Sequence, residues 1–380
     1  MIIAYITALY SPFVGGLEIA VQRTAEEVAK LGHKVYVVTS DVTGRGVEEI
    51  NNVKVIRVRS LNIARNYPYL ITPLEIPRNV LERVDIVHGW SQSYYFAYRI
   101  SLYAKKEIRK PLAYYFIGVD YLEKHYNPLI RFVGSRYQKV LTRRLARYVD
   151  LALATNESDE ILLRERYGLK AHILPHGIDE VYFNTPNKAE EFRRKYHINN
   201  NRIVGYIGRI HPTKGLDLLV KAFANVIREE EDIMLVVAGR GDERYLAKCV
   251  KLAEKLGIKN RIRYLGYLSE EDKIGLIDAS EVIVLPSRHA GESYPLLIDE
   301  VKARGKPLVV TNYGFLPYRV INGVEGFVVN ADPNDIAKAV LTILQRGGSS
   351  RVILKPKKWS EVAQELNKLY IKIINENYTQ

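Results

Sequence analysis

Cysteine is almost absent. Cys249 is the single one in 380 residues, which excludes an internal disulfide and any metal site built from several cysteines, and points to a reducing, cytoplasmic setting. No stretch approaches the roughly 18 uninterrupted apolar residues of a membrane span. The opening Met1-Ile2-Ile3-Ala4-Tyr5-Ile6-Thr7-Ala8 lacks the positive segment of a signal peptide and reads as a first buried strand. Any membrane contact is therefore expected at the surface. Low-complexity tracts and repeats of 20–50 residues are also missing. Acidic residues fall short, with 43 Asp+Glu against 56 Lys+Arg, so the chain carries +13. Such a balance directs attention to nucleic acid, an anionic membrane surface or phosphorylated substrates, and does not choose among them.

What is present is a globular chain. Hydrophobic residues are 47% and charged residues 26%, which fits neither a disordered nor a polytopic membrane protein. At roughly 150 residues per domain the length implies two or three domains. Short apolar runs alternate with helical periodicity, the pattern of βα units and a parallel sheet. In the first half, residues 2–7, 34–39, 53–57, 86–88, 112–116 and 151–154 read as strands. A helix over 17–31 starts after Gly15-Gly16 and stops at Gly32. A polar stretch, 184–201, precedes a second series: strands 203–207, 234–238, 262–265, 282–285, 308–311 and 326–329, with helices 216–228, 245–256, 270–278, 296–303 and 333–345. Two Rossmann-like domains follow, 1–183 and 184–357. An amphipathic helix over 359–375 comes after Gly347-Gly348 and the basic segment 351–358, and could pack back on the first domain. Ligands in such sheets bind beyond the carboxyl ends of the strands.

Two constellations lie in such loops. Gly208-Arg209-Ile210-His211-Pro212-Thr213-Lys214-Gly215 follows a strand and opens a helix. Arg209 and Lys214 beside a helix N-terminus suit a polyphosphate, although the same residues also read as a basic cap facing solvent. Glu292-Ser293-Tyr294-Pro295-Leu296-Leu297-Ile298-Asp299-Glu300 again follows a strand, and Pro295 can start its helix. Eight helical residues rise by about 12 Å, enough for Glu292 and Glu300 to meet opposite ends of an extended nucleotide diphosphate. Alternatively, Glu300 pairs with Lys302 or Arg304 on a solvated face.

Together, Gly-Arg-x-x-x-x-Lys-Gly and Glu-x7-Glu resemble the retaining GT-B glycosyltransferases of family 4. The segment 11–18, Ser-Pro-Phe-Val-Gly-Gly-Leu-Glu, is similar to that family's N-terminal glycine loop, and Leu174-Pro175-His176-Gly177-Ile178-Asp179 to its hinge-proximal segment. The resemblance spans nearly the whole chain. It implies an α/β GT-B fold, two Rossmann-like domains facing each other across a cleft, with an N-terminal acceptor domain and a C-terminal donor domain. It also implies a hexose transferred from a nucleotide-diphosphate sugar, UDP- or GDP-linked, to an acceptor hydroxyl with retained configuration, needing no cofactor.

By that resemblance Arg209 and Lys214 neutralise the leaving diphosphate and Glu300 holds the ribose hydroxyls. Glu292 and the backbone of Ser293, Tyr294, Pro295 and Leu296 contact the transferred sugar. Gly15 and Gly16 let their amides approach the phosphates. His88, at the end of the strand 86–88, matches a histidine near the sugar C6 hydroxyl; without the resemblance it reads as structural. Arg240, Gly241 and Tyr267 fall in loops that hold the nucleobase. Asp120 is a candidate for positioning the acceptor or, equally, a solvated loop aspartate. Two departures stand out: the hinge segment has His176 where the family favours asparagine, and residues 312–319 replace a glycine-rich loop. No Asp-x-Asp triplet occurs, in keeping with a metal-independent enzyme.

Charge bears on the acceptor. From Arg99 to Arg147 twelve basic residues face three acidic ones, with Tyr98 just before them and Tyr103, Tyr114, Tyr115, Tyr121, Tyr126 and Tyr137 among them. Basic residues with amphipathic aromatics suggest a peripheral surface on the inner face of the cell membrane, reaching a lipid-linked glycan or glycolipid acceptor. A solvated basic face is the alternative. Two rival functions stay open at this point, a nucleotide-sugar 2-epimerase of the same fold and a basic nucleic-acid-binding protein. Nucleic acid is not the expected partner, because the chain shows no zinc-finger or RNA-recognition signature.

Overall fold

The computed structural model describes residues 1–13, 15–62, 68–125, 127–198, 201–348, 353 and 355–378. Val14, Tyr126 and parts of the polar stretch 184–201 and the basic segment 351–358 lie outside them. The chain divides into two compact units, Met1–Gly177 with Lys357–Gln380, and Ile178–Pro356.

The first unit carries an eight-stranded sheet. Its strands are β1 (Ile2–Ile6), β2 (Lys34–Ser40), β3 (Val47–Ile50), β4 (Val53–Val58), β7 (Ile86–Trp90), β8 (Leu112–Phe116), β9 (Leu151–Ala154) and β10 (His172–Ile173), in the order β10-β9-β8-β7-β1-β2-β4-β3. Only β3 is antiparallel to its neighbour. A small pair, β5 (Ser60–Leu61) and β6 (Thr72–Pro73), stands apart. Because crossover helices cover a parallel sheet on both sides, its strands are apolar throughout, as in the fully buried β7 and β8. One face packs Ile6, Val87, Tyr114 and Phe116 into a core with Phe96, Leu141 and Leu163 from the helices.

The other face is aromatic and is closed by the C-terminal helix Trp359–Tyr378. Tyr5 and His88 are register partners, as are Trp90 and Tyr115. The His88 and Trp90 rings stack at 5.0 Å, and Trp90 and Tyr115 at 4.6 Å. Tyr370 reaches in from the helix to hydrogen-bond both Tyr5 and His88, while His33 meets Asn367 at 2.9 Å and His172 meets Glu365 at 2.8 Å. The helix thus belongs to the first unit through buried polar contacts as well as apolar ones.

The second unit holds a parallel six-stranded sheet: β11 (Arg202–Ile207), β12 (Ile233–Ala238), β13 (Ile262–Gly266), β14 (Val282–Leu285), β15 (Leu308–Thr311) and β16 (Gly326–Val329), ordered β13-β12-β11-β14-β15-β16. It begins at Ile178 and not at 184, because Ile178 and Tyr182 are buried against Ile274, Ile298 and Leu316. Some of its helices start at side-chain caps: Ser269 accepts from the Asp272 amide, and Asp332 accepts from those of Asn334 and Asp335. Strand order reverses between β11 and β14, which makes the loops after these two strands the place for a ligand.

Candidate active site

Both sequence constellations occupy that reversal point. The loop after β11 carries Arg209, turns through Pro212–Lys214 and enters the helix Leu216–Val226 at Gly215. Gly215 has φ +71°, and a Cβ there would lie 1.9 Å from the Pro286 carbonyl oxygen. A side chain would therefore be strained by its backbone and would also separate the two loops. Arg288 N–H donates to the Thr213 carbonyl at 2.7 Å, and Ser287 Oγ lies 3.2 Å from the same oxygen.

Lys214 and Glu292 meet across this seam in an ion pair, and Ser287 Oγ donates to the same Glu292 oxygen at 2.8 Å. Burial pushes the Glu292 carboxyl up, but Lys214 and His289 outweigh it and hold the group below its ordinary value. Arg209 is exposed, and its guanidinium pairs with no carboxylate among the described residues. His211 Nδ1 accepts from the Thr213 amide at 3.3 Å. Burial, then Arg209 and Lys214, push its pKa down, so the loop's positive charge comes from Arg209 and Lys214.

The nucleobase candidates sit beside this loop. Ile210 N–H donates to the Arg240 carbonyl at 2.9 Å and Asp242 N–H to the Ile210 carbonyl at 2.7 Å. Gly241 bridges Ile210, so the two loops run as one ribbon. Arg240 lies 5.5 Å from the centroid of the half-exposed Tyr267 ring.

The Glu292 loop has a second brace that the sequence reading missed. Gly314, at φ +57°, places its Cα so that a Cβ would be 2.7 Å from the Glu292 carbonyl oxygen, which accepts from the Phe315 amide at 2.7 Å. Arg319 lies 3.6 Å from the Tyr294 ring centroid and pairs with Asp299, to which Tyr294 donates at 2.8 Å. The divergent stretch 312–319 therefore props the motif from behind. Ser293 N–H is already bonded to the Gly291 carbonyl at 2.9 Å, and Pro295 has no N–H. Of the backbone groups expected at 293–296, these two therefore offer no N–H in this arrangement. Leu296, the first residue of the helix Leu296–Ala303, is left to present an N–H from the first turn.

Glu300 does not pair with Lys302 or Arg304, which are committed to Glu325 and Asp278. Its partner is Lys273, at 3.1 Å. Burial raises the Glu300 carboxyl above its ordinary value despite that ammonium.

In the first unit, β7 runs on to Trp90, which puts His88 inside the strand and not at its end. Its side chain is fully buried, and burial pushes the imidazole down to about 3, so it is neutral. Its Nδ1 meets the Tyr370 hydroxyl. Gly15 caps and Gly16 opens the helix Gly16–Lys30. A Cβ on Gly16 would meet nothing within 4 Å, so packing does not demand that glycine. Asp120 is 4% exposed, and its two oxygens accept from Arg166 at 2.7 Å and Tyr167 at 2.6 Å. Both oxygens are thus engaged by a neighbouring helix of the same unit.

A two-domain α/β enzyme with a cationic, carboxylate-gated loop site at the reversal of a parallel sheet is the class defined so far. Two family models divide the chain: "Glycosyltransferase Family 4" matches residues 14–182 and "Glycosyl transferases group 1" matches residues 188–369. The chain belongs to the group 1 glycosyltransferases and has their GT-B fold. An uncharacterized glycosyltransferase of Methanocaldococcus jannaschii is 26% identical over 97% of this chain and 98% of its own. A D-inositol 3-phosphate glycosyltransferase of Corynebacterium urealyticum is 26% identical over 87% and 82%. The solved sucrose-phosphate synthase of Thermosynechococcus elongatus superposes with a TM-score of 0.81 at 18% identity, covering 99% of both chains. The chain is an enzyme that transfers sugar from a nucleotide sugar to an acceptor. The epimerase and nucleic-acid readings are set aside by this membership.

Proposed function

We propose that the enzyme transfers a hexose from a UDP- or GDP-sugar to an acceptor hydroxyl with retained anomeric configuration and without a metal ion. The observation that supports this most is the meeting of Lys214 and Glu292, with Arg209 on the same loop. As the glycosidic bond breaks, negative charge grows on the diphosphate, and fixed cations stabilise that charge more in the transition state than in the ground state. Arg209 and Lys214 supply the cations. Glu292 orients Lys214 and contacts the transferred sugar, Arg240 and Tyr267 receive the base, and Glu300 takes the ribose diol. A transfer assay with UDP-, GDP- and ADP-glucose in excess chelator tests the reading. Turnover with one nucleotide class and an unchanged anomer is expected. An inverted product, or activity seen only after magnesium or manganese is restored, would overturn it.

A second proposal concerns the acceptor. No described helix is long and apolar enough to cross a membrane, but the first unit exposes Leu129, Phe132, Val133 and Val140 at 70%, 60%, 56% and 45%. Arg131, Arg136, Arg143, Arg144 and Arg147 are exposed on the same turn and the helix Ser135–Ala146. Apolar tips among guanidinium groups suit an anionic bilayer and a lipid-linked acceptor on the inner face of the cell membrane. The tyrosines contribute less than their number suggests, since Tyr98, Tyr114 and Tyr115 are buried. Flotation with vesicles containing acidic lipid is expected to carry the protein upward, and Phe132→Ser with Val133→Ser to abolish this. Equal behaviour with neutral and acidic vesicles would remove the membrane from the account.

A further inference from the structure

Lys273 lies outside every motif legible in the sequence. It projects from the helix Glu270–Ala279, and its ammonium is 3.1 Å from both Glu300 and Glu270. It also lies 5.2 Å from the centroid of the Tyr182 ring, whose hydroxyl donates to the second Glu270 oxygen at 2.6 Å. The groups facing Glu300 are thus Lys273 and Glu270 from one helix, Tyr182 from the helix Val181–Asn184, and Asp179 from the preceding turn. One ammonium serves two carboxylates, and Asp179 adds a further negative charge near Glu300. Burial pushes Lys273 down, but Glu300 and Glu270 outweigh it and keep the ammonium charged.

The geometry points to Lys273 as the positioning residue that keeps Glu300 an ionised, two-oxygen acceptor for the donor's vicinal ribose hydroxyls. This rests on the reading of Glu300 as the ribose ligand. An ionised carboxylate can accept from both hydroxyls at once, whereas a protonated one has a hydroxyl of its own to place. Without Lys273, burial together with Glu270 and Asp179 drives Glu300 toward the protonated form. Lys273 touches neither the sugar nor the diphosphate in this scheme, so its loss acts on donor binding and leaves the chemical step alone.

The test compares wild type, Lys273→Met, Lys273→Arg and Glu300→Gln in donor KM and kcat between about pH 6 and 9. It adds competition by a nucleoside diphosphate and its 2′,3′-dideoxy analogue, beginning with UDP and passing to GDP or ADP if the transfer assay selects that base. Lys273→Met is expected to raise donor KM about tenfold at neutral pH, as when the Glu300 carboxyl is left about nine-tenths protonated there. KM should recover as pH rises and Glu300 ionises, kcat should stay within about twofold, and preference for the ribose over the dideoxyribose ligand should shrink. Lys273→Arg, which keeps charge and stem, should restore most of each property and serves if the methionine variant does not fold. A pH-independent KM, or a loss confined to kcat, overturns the proposal. If Glu300→Gln abolishes ribose preference and Lys273→Met does not, Lys273 alone is misassigned. If Glu300→Gln leaves that preference intact, the ribose reading falls and the role of Lys273 falls with it.

Discussion

Replacing Arg209 by alanine or Lys214 by methionine lowers turnover at least about a hundredfold, the cost of removing one preorganised donor of roughly 3–4 kcal/mol from a site where charge develops. Both residues are held by backbone before any substrate arrives: Gly215 admits the turn at φ +71°, and three hydrogen bonds tie the loop to its neighbours after β12 and β14. The two variants differ in what they leave behind. Arg209 is exposed and pairs with no carboxylate among the described residues, so Arg209→Ala removes a cation and little else. Its folding stability should stay within about 0.5 kcal/mol of wild type, as for most surface changes. Lys214→Met strands Glu292, which is 8% exposed, and should destabilise by about 1–3 kcal/mol. Steady-state kinetics over a range of donor concentrations, beside urea unfolding, separates these effects. Loss expressed wholly in donor KM with kcat intact would mean that the cations bind ground and transition states alike.

The positions of most parallel strands and of the two loops were legible because local rules set them. Apolar runs between amphipathic helices give a parallel sheet, and glycines bound a basic loop where a strand ends and a helix begins. Partnerships across the chain were not legible. Spacing offered Glu300 the nearby Lys302 and Arg304, yet these answer Glu325 and Asp278, and the ion partner of Glu300 stands 27 residues upstream on another helix. The same limit hid the brace from Gly314 and Arg319, which lies in a stretch that looked divergent by composition. His88 and the tyrosines were misplaced for a different reason. A polar or amphipathic residue in a strand is ambiguous until the covering layer is known, and the layer over Tyr5, His88, Trp90 and Tyr115 is a helix that starts 187 residues after β10 begins, from Trp359 against His172. Asp120, read as a loop carboxylate, turned inward because Arg166 and Tyr167, from a later helix, satisfy it.

Glu292→Gln should lower turnover by about a hundredfold as well, but not independently of Lys214. The carboxylate, itself bonded by the Ser287 hydroxyl, holds the ammonium in place. Donor binding must then divide Lys214 between Glu292 and the diphosphate. Each single variant breaks the same arrangement, so the double variant Lys214→Met/Glu292→Gln should lose far less than the product of the two single losses. Contacting residues in one network couple by about 0.5–3 kcal/mol, which predicts a shortfall of up to about a hundredfold. A double loss equal to the product would show that the two side chains work separately. Folding stability gives a second reading of the same pair. The Glu292 carboxyl is depressed from its ordinary 4.5, so its contribution is present above that value and is lost as pH falls through the lower folded one. The stability gap between wild type and Lys214→Met, wide at pH 7, should therefore narrow as pH falls from about 4.5 through the lower folded value, below which Glu292 is protonated and no longer needs a cation.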